Sequence, residues 1–192
     1  MKTALVLLAA LPVLAQAPPA APKAQPAAPA LPTSAAQVLE RSLAGVERQF
    51  VPAAEALAED KYGYIPTGGE FTGVKTFAQQ VKHIAAVNFS LGASILGEKP
   101  SVDAKDIEMG PEAVKSKDEI LKFLKESFAY ARKAVGSIKD AELIAPIASP
   151  FGPNKTTRLN LALILSSHGM DHYGQMVVYL RHNGVVPPAS RR

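Results

Sequence analysis

"TRLNLALILSSHGMDHYGQMVVYLRHN", Thr157–Asn183, keeps a three-four spacing over its whole length. The seam reads Leu161, Leu165, His168, His172, Gln175, Tyr179. Side chains at this spacing share one face of an α-helix. The face is leucine at first and turns polar halfway along. Gly184 ends the pattern, with Pro187 and Pro188 beyond it. Two imidazoles and an amide thus stand where packing alone would favour leucine.

Three earlier stretches carry the same period. Leu39, Leu43, Val46, Phe50, Ala53 and Leu57 form one seam, opened by a Ser34/Gln37 capping pattern. Pro52 lies inside it and predicts a kink or a split into two helices. A second helix is predicted after Thr76, with Gln79 as capping partner, Ile84, Val87, Leu91 and Ile95 as its apolar face, and Gly97 as its stop. A third follows Ser116 and Glu119, with Leu121, Leu124, Phe128, Ala131, Val135 and Ile138 along its seam. No segment alternates as a strand with hairpin turns. Four such seams predict an all-α fold, a four-helix bundle with long inter-helix loops. Those loops cover roughly residues 60–75, 98–115 and 139–156, long enough to carry function or extra packing. In an up-down-up-down topology the first and third loops would share an end, and Tyr62, Tyr64 and Phe151 would roof the polar stretch of the last helix.

Outside the bundle, Met1–Ala17 reads as a secretory signal peptide: a basic start, the apolar run "ALVLLAALPVLA", and Ala15-Gln16-Ala17 as a cleavage site. The run is shorter than the roughly 20 residues of a membrane span. Residues 18–32, "PPAAPKAQPAAPALP", read as an extended Ala/Pro tether. The folding unit is then 33–192, in a periplasmic or secreted protein. It has no cysteine, so its core must stabilise it without disulfides. The formal charge is +4, or +3 once Lys2 is removed, with no basic run. Nucleic acid binding is not indicated.

Residues four apart lie one helical turn apart on one face, so His168 and His172 can chelate one divalent ion. Without a partner, two buried imidazoles would cost several kcal/mol in unmet polar interactions, on the order usual for such burial. His83 is the candidate third ligand. It sits about 40° from Val87 around the second helix, at 100° per residue. Three neutral imidazoles with a remaining water position describe a catalytic type of site. Gln79, one turn before His83, and Gln175, three residues after His172, can fix ring tautomers or touch a bound ligand. His182 suits a cation at a helix C-terminus, Asp171 points away from the shared face, Tyr173 and Tyr179 read as packing residues, and Gly174 as a point of close helix approach. Gly169 follows His168 where a zincin has glutamate. Two histidines one turn apart cannot take opposite axial positions on haem, and the chain has no Glu-x-x-His for a carboxylate-bridged dimetal site.

The blocks "HGMDHYGQMVVYLRHNGVVPPAS" and "EDKYGYIPTGGEFTGVKTFAQQVKHIAAVNF" resemble the DinB-like (DinB/YfiT) metal-binding four-helix bundles, in particular an exported branch. The resemblance covers most of 33–190. It implies a divalent metal (zinc, nickel or manganese) held by His83, His168 and His172, and often a homodimer. Some relatives are thiol-S-transferases and others isomerases or hydrolases. Tyr173 departs from the basic residue that many cytoplasmic members carry there. Two functions from different classes follow: a metal-dependent enzyme of hydrolase or thiol-S-transferase type acting on a small molecule, or a non-catalytic, metal-stabilised bundle that binds a partner or dimerises. A bundle without metal is the third reading.

Overall fold

The computed structural model describes residues 30–191. The predicted signal peptide lies outside the described residues, as does the tether except for its last three residues, which have no regular structure. The unit that begins at Pro32 contains four long helices: α1 (Ala35–Ala56), α2 (Phe77–Leu96), α3 (Lys117–Gly136) and α4 (Arg158–His182). This is the all-α four-helix bundle that the four seams imply. None of these helices is long and apolar enough to cross a membrane.

The starts of the helices follow local chemistry. Thr76 with Gln79, and Ser116 with Glu119, form complete capping boxes that satisfy backbone donors at the first turns of α2 and α3. At α1 only half of the box forms. Ser34 accepts from the Gln37 amide, while the Gln37 side chain accepts from Thr33. Pro52 does not split α1, which runs unbroken to Ala56. Its last turn is anchored from outside, since Ala53, Ala54 and Leu57 are buried and the Tyr62 hydroxyl donates to the Ala54 carbonyl at 2.7 Å.

The topology differs from a simple up-down alternation. In α1 and α3, Phe50 meets Phe128, and Glu40 and Glu47 share Arg132, so these helices are antiparallel. In α2 and α3, Asn88 bonds Ser127 and Gly92 abuts Ala131, so these run parallel. Between α2 and α4 the pairs are Lys75 with Tyr179, Gln80 with Gln175, and Ile95 with Arg158, an antiparallel order. The bundle is therefore up-down-down-up, with α1 diagonal to α2. Parallel neighbours force residues 97–116 to return along the bundle, about 30 Å for helices of this length. The third connection lies at the opposite end from the first. It contains a small antiparallel hairpin, β1 (Pro146–Ala148) with β2 (Lys155–Thr157), which helical periodicity gave no hint of.

One core runs through the bundle, with Phe50, Phe77, Phe128, Leu43, Leu91 and Met176 among its fully buried side chains. Helix α2 is the most enclosed, being flanked by α3, α4 and the returning segment. Gly110 fixes that segment. It has φ +72°, and a Cβ there would lie 2.2 Å from the Lys82 Cβ. Lys82 Nζ in turn donates to the Pro111 and Val114 carbonyls at 3.0 and 3.3 Å. Close approach of α4 to α1 occurs at Gly169, where a Cβ would lie 2.7 Å from Val46. Gly174, predicted for that role, has no atom within 4 Å of a Cβ position.

Gly110→Ala is expected to destabilise the protein by about 2 kcal/mol or more, from a left-handed backbone and a direct clash. Gly174→Ala, in an open helix position, should stabilise it by up to about 1 kcal/mol. Urea denaturation of both variants checks the contrast.

Candidate metal centre

His83 sits in the second turn of α2, and His168 and His172 in the middle of α4. The antiparallel α2–α4 register sets them at one level. His83 and His172 are buried and His168 is half-buried. Nε2 of His168 lies 3.2 Å from Nε2 of His83 and 3.1 Å from Nε2 of His172. All three ligand atoms fall within 4.8 Å of one another. Among the described residues no carboxylate joins this group.

The ring tautomers follow from the other nitrogens. His83 Nδ1 lies 2.7 Å from the Ile107 carbonyl, which can only accept, so Nδ1 carries the proton. His172 Nδ1 bonds Gln80 Oε1. The Gln80 amide is oriented because its Nε2 donates to Gln175 Oε1 at 2.9 Å, and Gln175 Nε2 donates to Asp171 at 3.1 Å. Neutral His83 and His172 therefore turn bare Nε2 lone pairs toward His168. A single proton on His168 Nε2 cannot satisfy both. A divalent ion can: bonds of about 2.0–2.2 Å place adjacent nitrogens about 2.8–3.1 Å apart in octahedral geometry and about 3.3–3.6 Å apart in tetrahedral geometry. The donor set thus fits a metal.

Electrostatics favour the ligating, neutral form. Burial lowers the pKa of all three imidazoles, and their mutual repulsion adds to this for His168 and His172. His172 is pushed down to about 4. At the rim, Glu108 pairs with Lys75 at 3.0 Å, and that lysine holds its carboxyl below the usual range.

A cavity of about 280 Å³ opens beside the triad. His83 and His168 line it with Val87, Leu91, Ile107, Glu108, Pro150, Phe151 and Ile164 among the other lining residues. Phe151 is thus at the cavity, but the two predicted roof tyrosines are not. Tyr62 is buried against Phe77, and Tyr64 bonds Nδ1 of His182 at 3.2 Å near the C-terminal end of α4. The reason is topological: the first and third loops occupy opposite ends, and the returning segment supplies the lining instead. Gln79 serves the α2 cap rather than a histidine. Gln80, which sequence reading missed, takes the place beside His172. The signal was present, since a Gln79 side chain committed to a capping box leaves the next glutamine, three residues before His83, on the ligand face. Gln175 reaches His172 only through Gln80. Tyr173 and Tyr179 are packed in the core.

The family model of the DinB superfamily matches residues 42–176, and the chain belongs to that superfamily. The superfamily is metal-binding, and the three histidines can hold a metal ion. Among solved structures, the chain is similar to a DinB-like protein from Bacillus cereus ATCC 10987. The TM-score is 0.60 and the identity 18%, over 79% of this chain and 95% of that one. It is also similar to a conserved protein from Enterococcus faecalis, with a TM-score of 0.61 and 14% identity over 78% and 97% of the two chains. At these identities the likeness extends to the fold alone. No functionally curated protein matches the sequence.

The depressed histidine pKa values fix a sign. In the unfolded chain imidazoles titrate near 6.5, so below that pH the unfolded state binds more protons than the native state. Stability of the metal-free protein should therefore fall as pH drops from about 6.5 toward 4. Thermal unfolding in chelator across this range checks it, and His172→Leu should flatten the slope.

Proposed function

We propose that this is an exported, metal-dependent enzyme of hydrolase or thiol-S-transferase type, with His83, His168 and His172 holding one zinc, nickel or manganese ion. The observation that carries the reading is the convergence of three imidazole Nε2 atoms, those of His83 and His172 bare, at the edge of a cavity, with no fourth protein ligand among the described residues. A bound divalent ion supplies Lewis acidity, which lowers the pKa of a water or thiol ligand toward neutrality or polarises a carbonyl. The chain's own residues do the rest. Ile107 and Gln80 hold two rings in the ligating tautomer. Val87, Leu91, Ile164 and Phe151 give the substrate an apolar bed that excludes water from one side. Glu108, held by Lys75 at the cavity rim, is the carboxylate best situated to take up or return a proton there.

Export is supported by the Met1–Ala17 pattern, and its test is fractionation of the tagged full-length chain. The alternative, a non-catalytic binding or dimerisation module, draws support from the exposed apolar row Leu163, Met170 and Val178 on α4. The two readings differ at the open coordination position. With cobalt in the site, azide or a hydroxamate alters the visible spectrum of an enzyme-type centre and leaves that of a closed structural site unchanged.

Elemental analysis of the purified protein is expected to give about one divalent ion per chain, on the stoichiometry of a three-histidine site. His83→Ala, His168→Ala and His172→Ala should each lose it. Undiminished metal in His83→Ala would remove α2 from the site and end this reading. Gln80→Leu, which strips the acceptor from His172 Nδ1, should weaken metal affinity by about 10–100-fold in a competition titration.

A further inference from the structure

A second cavity, of about 420 Å³, adjoins the one at the histidines, and the two share Ser90, Ile107 and Pro150 in their walls. At the far side of the second stands Arg158, the first residue of α4. It is ten residues before His168, about 15 Å along the helix axis. Its Nε donates to the Ile95 carbonyl at 3.0 Å, which fixes the guanidinium plane. Among the described residues no carboxylate pairs with it. Glu98 lines the same cavity but accepts from the Tyr130 hydroxyl at 2.7 Å and forms no ion pair with Arg158. The terminal nitrogens of Arg158 therefore have no protein acceptor among the described residues, in the wall of a cavity that adjoins the one at the imidazoles.

A guanidinium anchored through Nε keeps the fork geometry that suits a carboxylate. One cation with Glu98 nearby suits a single negative charge better than a dianion. The wall between the two ends is largely apolar, with Val87, Leu91, Ile107, Pro150 and Ile147.

We infer that the two cavities form one elongated groove whose ligand is an extended amphiphilic monocarboxylate. Its metal-directed end, a thiol or a carbonyl, lies at His83 and His168. Its apolar chain crosses the shared wall, and its carboxylate lies on Arg158. This inference rests on the metal-centre reading above.

Chain length is the test. The full chain, loaded with cobalt, is titrated with ω-mercaptoalkanoates from mercaptopropanoate to mercaptododecanoate, and with the matching ω-mercapto alcohols. Thiolate-to-cobalt absorbance reports occupancy. Short acids and alcohols should bind alike. At the length that spans the groove, the acid should bind about tenfold more tightly than its alcohol, as expected for a charge-assisted hydrogen bond. Arg158→Gln should abolish that preference, and Arg158→Lys should keep part of it, while cobalt content stays at the wild-type level. A preference absent at every length, or one that survives Arg158→Gln, overturns the groove and leaves the metal centre standing. No thiolate band with any probe, or no bound cobalt, overturns both.

Discussion

Three imidazoles aimed at one another inside a bundle set the terms for this protein. Two have their Nδ1 protons committed to the Ile107 carbonyl and to Gln80, so their opposite nitrogens are bare. Buried polar groups left without partners cost roughly 1–3 kcal/mol each. Leucine at those positions would be the simpler solution for stability alone. The arrangement makes physical sense as a place for a cation. It also explains why neighbouring side chains are not free to vary as packing residues: each fixes a tautomer or fixes the group that does.

The long connection between α2 and α3 makes this possible. Because those helices are parallel, the chain must travel back along the bundle, and it passes over the open side of α2. Gly110 lets it lie directly on Lys82, and Lys82 holds it by two carbonyls. Ile107 is thereby brought against His83, and Glu108 to the rim beside Lys75. A loop that looks like excess length for a bundle is thus part of the wall of the site. Ile107 of the same segment lines both adjoining cavities, one with the histidines in its wall and the other with Arg158.

The seams of the four helices were readable because each is a local pattern: three-four spacing, a capping residue, a glycine stop. The histidine pair on α4 was readable for the same reason, being one turn apart. His83 could be nominated from its place beside an apolar face, yet its distance from the pair depends on how α2 and α4 are staggered. The roof residues were misassigned because that reading assumed alternating helices. In the actual topology Tyr62 and Tyr64 stay with the end where α1 stops and α2 begins, and Phe151 reaches the cavity from the other end. Gln79 was chosen over Gln80 although its capping role already occupied its side chain. Pro52 was expected to kink or split α1; the helix is not split, because packing of its last turn outweighs one missing hydrogen bond.

Taken alone, the sequence determined the helices, their buried faces, and the presence of a chelating pair, because those depend on residues within a few turns of one another. Only the tertiary structure decided the up-down-down-up order, the meeting of His83 with His168 and His172, and the walls of the cavity. These depend on helix register and on the path of a connection that crosses the bundle. No short-range pattern encodes either, since both are set by how whole helix faces pack.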